Sequence, residues 1–273
     1  MTPANGRVLG KRRYAYSNTQ CEILPHCPQI AQGKCFGEAS ERLPFYFQRH
    51  VAYYGRAMDI PSILSWARSR MERADDSPLE LGYRLHHGER VGAIAASLAE
   101  RVCPGAAPSE LYRIAGVVHD VGKAGYRGPV PHGPRGAQIL RAEAAQWFEP
   151  EELDFVCLMV ENHYARPLSR WYEGKEKPVW PAPVLVIQDA DLLDHFGANY
   201  FWITFHHAVA KGEGPDRFFA SYTEPGTRRG LGWVRDSRRS LNFEESRREL
   251  DRRQSLAEAF YKEMAMDLEG KLP

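Results

Sequence analysis

The sequence has almost no net charge. Its 36 Lys and Arg stand against 35 Asp and Glu, a formal balance of +1, so no overall field steers it toward nucleic acid or a membrane surface and its chemistry must come from local sites. It also lacks an apolar run of spanning length, and the opening stretch MTPANGRVLGKRRYAYS is polar and basic where a secretory h-region would have to lie. A soluble, cytoplasmic protein is therefore expected, with no nucleic-acid and no membrane partner. Paired cysteines are missing too: the five (Cys21, Cys27, Cys35, Cys103, Cys157) are odd in number and widely spaced, so reduced thiols are expected rather than a disulfide framework. The first three, with His26 beside Cys27, form C-x5-C-x7-C, which lacks the C-x2-C pairs of a zinc or iron–sulfur module. There is no P-loop, dinucleotide glycine motif or nucleophile elbow, and no internal repeat or low-complexity tract. What is present is the composition of an ordinary globular protein, 43% hydrophobic and 26% charged, and ten histidines, several of them beside acids or prolines.

Residues 1–40 have no sustained periodicity and are expected to be an irregular arm. From Arg42 to Arg73 apolar residues recur (Phe45, Tyr46, Phe47, Val51, Tyr54, Ile60, Ile63, Leu64, Trp66) with a break at Pro61, as in short packed helices. His87, Val91, Ile94, Ala95 and Leu98 mark one stripe of a helix reaching Val102, where CPGAAPS breaks it. Ser109 is the expected N-cap of a second helix through Leu111, Ile114, Ala115, Val118 and His119, ended by Gly122. Pro134 is expected to open a third through Ala137, Leu140 and Ala144, and Pro150-Glu151-Glu152 a fourth through Leu153, Val156, Val160 and His163. A fifth aligns Val184, Ile187, Asp191 and, at its end, His195. Residues 212–240, rich in Gly and Arg, read as a long connection before a last charged helix from Phe243 to Leu268 that packs back as a brace. Strand–helix alternation is missing, so the fold is expected to be all-α, with a helical domain over 41–210 (motif core 81–210) and a connection plus C-terminal helix over 211–273.

Four of these helices place His or Asp where the stripe calls for an apolar residue: His87, the pair His119-Asp120, His163 and Asp191. A buried imidazole or carboxylate is costly unless paired or metal-bound. One alone is usually a satisfied core residue; several converging on one bundle point to a metal. Imidazole with carboxylate and no thiolate suits Fe, Mn, Zn, Ni or Co at an open catalytic site.

The runs HGERVGAIAASLAE (His87 to Glu100), LYRIAGVVHDVGKAG (Leu111 to Gly125), ENHY (around His163) and IQDADLLDHFGA (Ile187 to Ala198) resemble the HD-domain superfamily of metal-dependent phosphohydrolases, whose pattern is a His, an adjacent His-Asp pair and a distant Asp after Ala. The H-x-x-R-V and HD-x-G-K contexts match as well. The resemblance spans Leu81 to Ala210 and implies a helical bundle with a metal at its centre. It implies His87, His119, Asp120 and Asp191 as ligands of a first ion. His87 is chosen over His86 by its distance from Val91, and Asp191 over Asp189 by the preceding Ala and by register with Val184 and Ile187. His132, in PHGPRGA, and His163 match two further histidines of the binuclear branches, in which Asp120 would bridge two ions. From the residues alone the alternatives are a loop histidine for His132 and a core histidine for His163.

Lys123 matches a lysine that several branches place on the substrate, although a cation there also complements a helix C-terminus. Arg166 and Arg170, with Lys175 and Lys177 and the interleaved Trp171 and Tyr172, are candidates for clamping a nucleotide, or form a solvated loop. The implied activity is hydrolysis of a phosphoester of a small, nucleotide-like substrate by metal-activated hydroxide, with one or two divalent transition ions, Fe or Mn foremost and Co, Ni or Zn as alternatives. HD-x-x-K with HG-x-x-GA resembles bacterial hydrolases of dinucleoside polyphosphates; the Gly-Tyr-Pro motif of the cyclic-dinucleotide branch is absent and Asn162 stands where that branch carries a histidine. The same six-residue set also resembles inositol-oxygenase-like and phosphonate-cleaving di-iron enzymes, and a non-catalytic regulatory module is a third reading. Substrate identity and oligomeric state are not encoded in these motifs.

Overall fold

The structure, a computed structural model, describes residues 58–72, 83–126, 128, 131–166, 179–214, 217–218 and 231–270. The arm expected over residues 1–40 lies outside them, as does the segment carrying Arg170, Trp171, Tyr172, Lys175 and Lys177. Among the described residues every regular element is helical and no strand occurs, as the periodicity requires. No helix among them is long and apolar enough to cross a membrane.

Helix α1 (Ile60–Glu72) shows why Pro61 starts a helix rather than breaking one. It occupies the first turn, where its missing N–H would have no partner, and Asp59 caps the same turn by accepting from Ser62 N at 3.1 Å and Ser62 Oγ at 2.8 Å. Helices α2 (Tyr83–Val102) and α3 (Ser109–Val118) pack backbone against backbone. A Cβ on Gly116 would lie 2.3 Å from Gly92 Cα, and one on Gly88 would lie 2.5 Å from Val117 O, so these backbones touch and any side chain at either glycine would wedge the helices apart. That contact lies one turn from His87 and His119. Helix α3 is capped by Pro108 rather than Ser109, whose hydroxyl bonds Glu110 instead, and it ends at Val118; His119 and Asp120 form a turn leading into the 3-10 turn Val121–Lys123.

Helix α4 (His132–Glu143) begins two residues before Pro134, after the N-cap Pro131. Helix α5 (Pro150–Asn162) opens with Pro in its first turn and a capping box in which Glu149 and Glu152 each accept from the other's backbone. Helix α6 (Ala182–Asp194) is buried without interruption from Val186 to Asp194, which makes it the central element that the others enclose. Two further helices correct the sequence reading. Helix α7 (Ala198–Ala210) follows after Gly197, whose φ of 81° needs glycine, and α8 (Leu231–Ser240) occupies the end of the stretch read as a connection. The Arg residues of that stretch read as surface linker, yet Arg is a good helix former, and Arg238 and Arg239 complement the α8 C-terminus. The last helix, α9 (Glu244–Leu268), buries Leu250, Gln254, Ala257 and Tyr261 at alternating four- and three-residue spacing against α6 and α7. Its outer face is laced by Arg–Glu pairs three and four residues apart.

Candidate metal centre

Three helix ends and two helix interiors converge on one largely buried cluster. His87 lies inside α2, His119 and Asp120 follow α3, His132 opens α4, His163 follows α5 and Asp191 lies inside α6. His87, His119, Asp120, His163 and Asp191 are buried, whereas the His132 and Lys123 side chains reach solvent at 22% and 39% exposure and form the mouth. The ligand-type atoms of His87, His119 and Asp191 all lie within 4.8 Å of one another, and so do those of His119, Asp120 and His163. Asp120 Oδ1 sits between three imidazoles, 3.4 Å from His119 Nε2, 3.2 Å from His132 Nε2 and 3.5 Å from His163 Nε2. On the other side Asp191 Oδ1 is 3.2 Å from His87 Nε2 and 3.7 Å from His119 Nε2. Glycines again permit the approach: a Cβ on Gly133, beside His132, would lie 2.4 Å from Glu161 O, and His132 Nε2 comes to 2.7 Å from His163 Nε2.

Hydrogen bonds on the far side of each ring decide which nitrogen faces inward. His119 Nδ1 is 2.7 Å from Gly116 O and His163 Nδ1 is 2.7 Å from Val160 O, so in both rings Nδ1 donates to a carbonyl and the Nε2 lone pair points to the centre. His87 Nδ1 lies 2.8 Å from Asp194 Oδ2, which likewise turns its Nε2 toward the centre. Two inward atoms, His119 Nε2 and Asp120 Oδ1, are buried without a hydrogen-bond partner. Leaving such acceptors unmatched in a dry interior costs about 1–3 kcal/mol each, and a cation shared between them satisfies both. The donor set fits a divalent transition metal.

Electrostatics separate the groups. Burial tends to lower the His87 imidazole, but the hydrogen bonds it donates to Asp191 and Asp194 outweigh it and raise the pKa to about 9. Burial holds His119 down at about 3 and His132 at about 4, the nearby carboxylates compensating in part. For Asp120 and Asp191 burial pushes upward, yet Lys123 and His119 around the first, and Arg166 and His87 around the second, hold both well below the usual carboxylate range. Lys123 Nζ is 2.7 Å from Asp120 Oδ2 and Arg166 Nη1 is 3.4 Å from Asp191 Oδ2, so each of the two acids carries a cation on its outer oxygen. Arg135 holds the turn beneath Lys123 by donating to Gly122 O and Ala124 O at 2.5 and 3.1 Å while its guanidinium lies over Tyr126.

The alternatives left aside in the sequence have other places. His86 is 68% exposed in its side chain and pairs with Glu89. Asp189 is buried, but it turns away from the centre and accepts from the backbone N–H groups of Asn242 and Phe243 at the start of α9. Residues that sequence reasoning missed stand behind the ligands: Asp194 on His87, Arg90 on Asp194, and Tyr83 stacked on the His87 ring at 5.5 Å; the His195 ring, aligned with Asp191 by the sequence, lies 5.2 Å from that of His87. Their signal was same-face spacing, since Asp194 follows Asp191, and Arg90 follows His87, by three residues.

Residues 84–195 match the family model of the HD domain, a stretch that holds the His, the His-Asp pair and the distal Asp. The chain carries an HD domain. Solved structures sharing its fold include a HD-superfamily hydrolase from Bacillus thuringiensis, 18% identical over 78% of this chain and 97% of that one, with a TM-score of 0.54. A Lactobacillus plantarum protein is 18% identical over 77% and 97%, with a TM-score of 0.51. Bacillus subtilis YpgQ is 18% identical over 76% and 94%, with a TM-score of 0.50. At these identities the likeness concerns the fold. No match is found among curated proteins. The HD domain accounts for α2 to α6; α7 to α9 lie beyond it in the chain.

Proposed function

We propose that the HD domain is the active site of a metal-dependent phosphohydrolase that cleaves a phosphoester of a small, nucleotide-like substrate. The observation carrying this reading is the convergent donor set: His87, His119 and His163 turn Nε2 inward because Nδ1 is bonded on the far side, and Asp120 Oδ1 among them has no hydrogen-bond partner. His87, His119, Asp120 and Asp191 would hold a first ion, and Asp120, His132 and His163 a second, Fe or Mn foremost and Co, Ni or Zn as alternatives. When bound, such ions supply Lewis acidity and make hydroxide available near neutral pH.

The chain's own residues do the rest. Asp120 reaches toward both halves of the centre with one oxygen while Lys123 neutralises the other, and the part-exposed Lys123 ammonium has further donors for a phosphoryl oxygen at the mouth. Arg166, on Asp191, offers a second cation to the substrate, and Arg170 belongs to the segment that follows it. The apolar walls of α3 and α6 keep bulk water from these charges, which strengthens their hold on an anion. The free thiols of Cys103 and Cys157 support a reducing, cytoplasmic setting.

Elemental analysis of protein purified without added metal, followed by a phosphoester panel under air and under nitrogen, tests the reading. One or two ions per chain and turnover that survives without oxygen, with Mn or Co in place of iron, are expected. Turnover of a polyol or phosphonate that requires iron and consumes oxygen would replace hydrolysis by oxygenation. Inertness of the metal-loaded protein in both atmospheres would favour a regulatory module.

A further inference from the structure

The three buried histidines of the centre are not oriented alike. His119 and His163 each cap a helix, so Nδ1 finds a carbonyl three residues back, Gly116 O and Val160 O, within its own chain segment. His87 is the fifth residue of α2, where neighbouring carbonyls are committed to the helix ladder, and its Nδ1 must be satisfied from another element. Asp194, the last residue of α6, supplies that partner at 2.8 Å and is itself 2% exposed. Arg90, one turn beyond His87 on α2, grips the same carboxylate with two donors, Nε to Oδ1 at 2.8 Å and Nη2 to Oδ2 at 3.0 Å. Asn199 Nδ2 adds a bond to Oδ2 at 3.3 Å and one to Asp194 O at 3.0 Å. The His87 ring is meanwhile held between the parallel Tyr83 ring at 5.5 Å and the edges of His119 at 4.9 Å and His195 at 5.2 Å.

We propose that Asp194, aimed by Arg90, is the positioning residue that fixes the ring and tautomer of His87 toward the metal centre, so that α6 contributes Asp191 as a ligand and also controls the ligand on α2. The proposal rests on the metal reading above. A carboxylate behind an imidazole makes the opposite nitrogen a stronger donor than a carbonyl does, and loss of such a partner typically weakens metal binding about 10- to 100-fold. The effect is confined to the His87 half, because His132 and His163 have no bond to Asp194.

Metal-free protein is titrated calorimetrically with Mn(II) and Co(II) for wild type, Asp194→Asn and Arg90→Gln, with melting curves of each metal-free protein and the visible Co(II) spectrum recorded alongside. Asp194→Asn is expected to weaken one binding event about 10- to 100-fold, to leave any second event in place and to alter the Co(II) band of the weakened site. Arg90 is part-exposed, so Arg90→Gln keeps the fold even if Asp194→Asn does not, and it is expected to weaken the same event by a smaller factor. Unchanged affinities in both variants overturn the proposal. Equal weakening of both events in step with a lowered melting temperature also overturns it, since that is what a purely structural role gives. Failure of wild type itself to take up either ion would sink the metal reading, and this inference with it.

Discussion

Asp189 and Asp191 stand two residues apart on α6, both buried, and replacing Asp189 by alanine separates their roles. Asp189 Oδ1 accepts from Asn242 N at 2.9 Å and Asn242 Nδ2 at 2.8 Å, and Oδ2 accepts from Phe243 N at 3.1 Å. It therefore caps the start of α9 from another helix, in place of the side-chain cap that Phe243, the residue before α9, cannot provide. Removing it strands two backbone donors at a part-buried helix start, while the Asn242 amide keeps Leu185 O and Gln188 Oε1; at about 1–3 kcal/mol each, the gross loss is several kcal/mol. Burial works the other way. It outweighs the donors and raises the Asp189 carboxyl to about 6, so the charge present at pH 7.5 is expensive to bury and its removal returns part of the loss. A net destabilisation of about 3 kcal/mol follows, a fall in melting temperature of about 6–12 °C for a protein of this size. Calorimetry of the metal-free protein measures that fall, and elemental analysis of the same preparation, loaded well below its midpoint, should return the wild-type metal content. An unchanged melting temperature with lost metal would show that Asp189 is the ligand and that the assignment of Asp191 is wrong.

Lys123→Met should keep its metal while kcat/KM toward a phosphoester falls about 100-fold, because one donor at the mouth is gone; steady-state kinetics at verified metal content checks this. Gly116→Ala places a methyl 2.3 Å from Gly92 Cα, so α2 and α3 must separate; about 3 kcal/mol of stability should be lost, read by urea denaturation, and metal affinity should fall with it. His87, raised to about 9, is protonated in the metal-free protein at pH 7.5, and a ligand must give up that proton. Titration in buffers of different ionisation enthalpy should therefore show about one proton released per chain on loading, and none would contradict the His87 assignment. For the metal-free protein the stability contribution of His87, whose folded pKa lies above the unfolded value near 6.5, is present below that value and lost as pH rises through about 9. His119 and His132, lowered to about 3 and about 4, contribute above 6.5 and lose that contribution as pH falls toward those values. Melting temperatures should accordingly peak near pH 6.5 and decline on both sides; a monotonic rise from pH 5 to 9 would contradict these shifts.

The helical class and the order of the core helices were legible because each rests on spacing within a few residues. Val91, Ala95 and Leu98, or Leu250 and Ala257, recur at the helical period whatever lies across from them. The His-Asp pair was legible for the same reason, since two polar side chains in adjacent buried positions break an apolar stripe. Helix α8 was hidden because its Gly and Arg content reads as linker, and the cap of α3 fell on Pro108 because the turn geometry before Ser109, not its hydroxyl, starts that helix.

By itself, then, the sequence determined an all-α fold class and a histidine–carboxylate set along or at the ends of its core helices, for that follows from local periodicity and from residue chemistry. Only the tertiary structure decided which nitrogen of each ring faces the centre, that Asp189 serves α9, and that Asp194 stands behind His87. The physical reason is range. Asp194 and His87 are 107 residues apart, and Asp189 and Asn242 are 53 apart. A hydrogen bond across such a separation leaves no trace in the spacing of either segment and exists only once α2, α6 and α9 have packed.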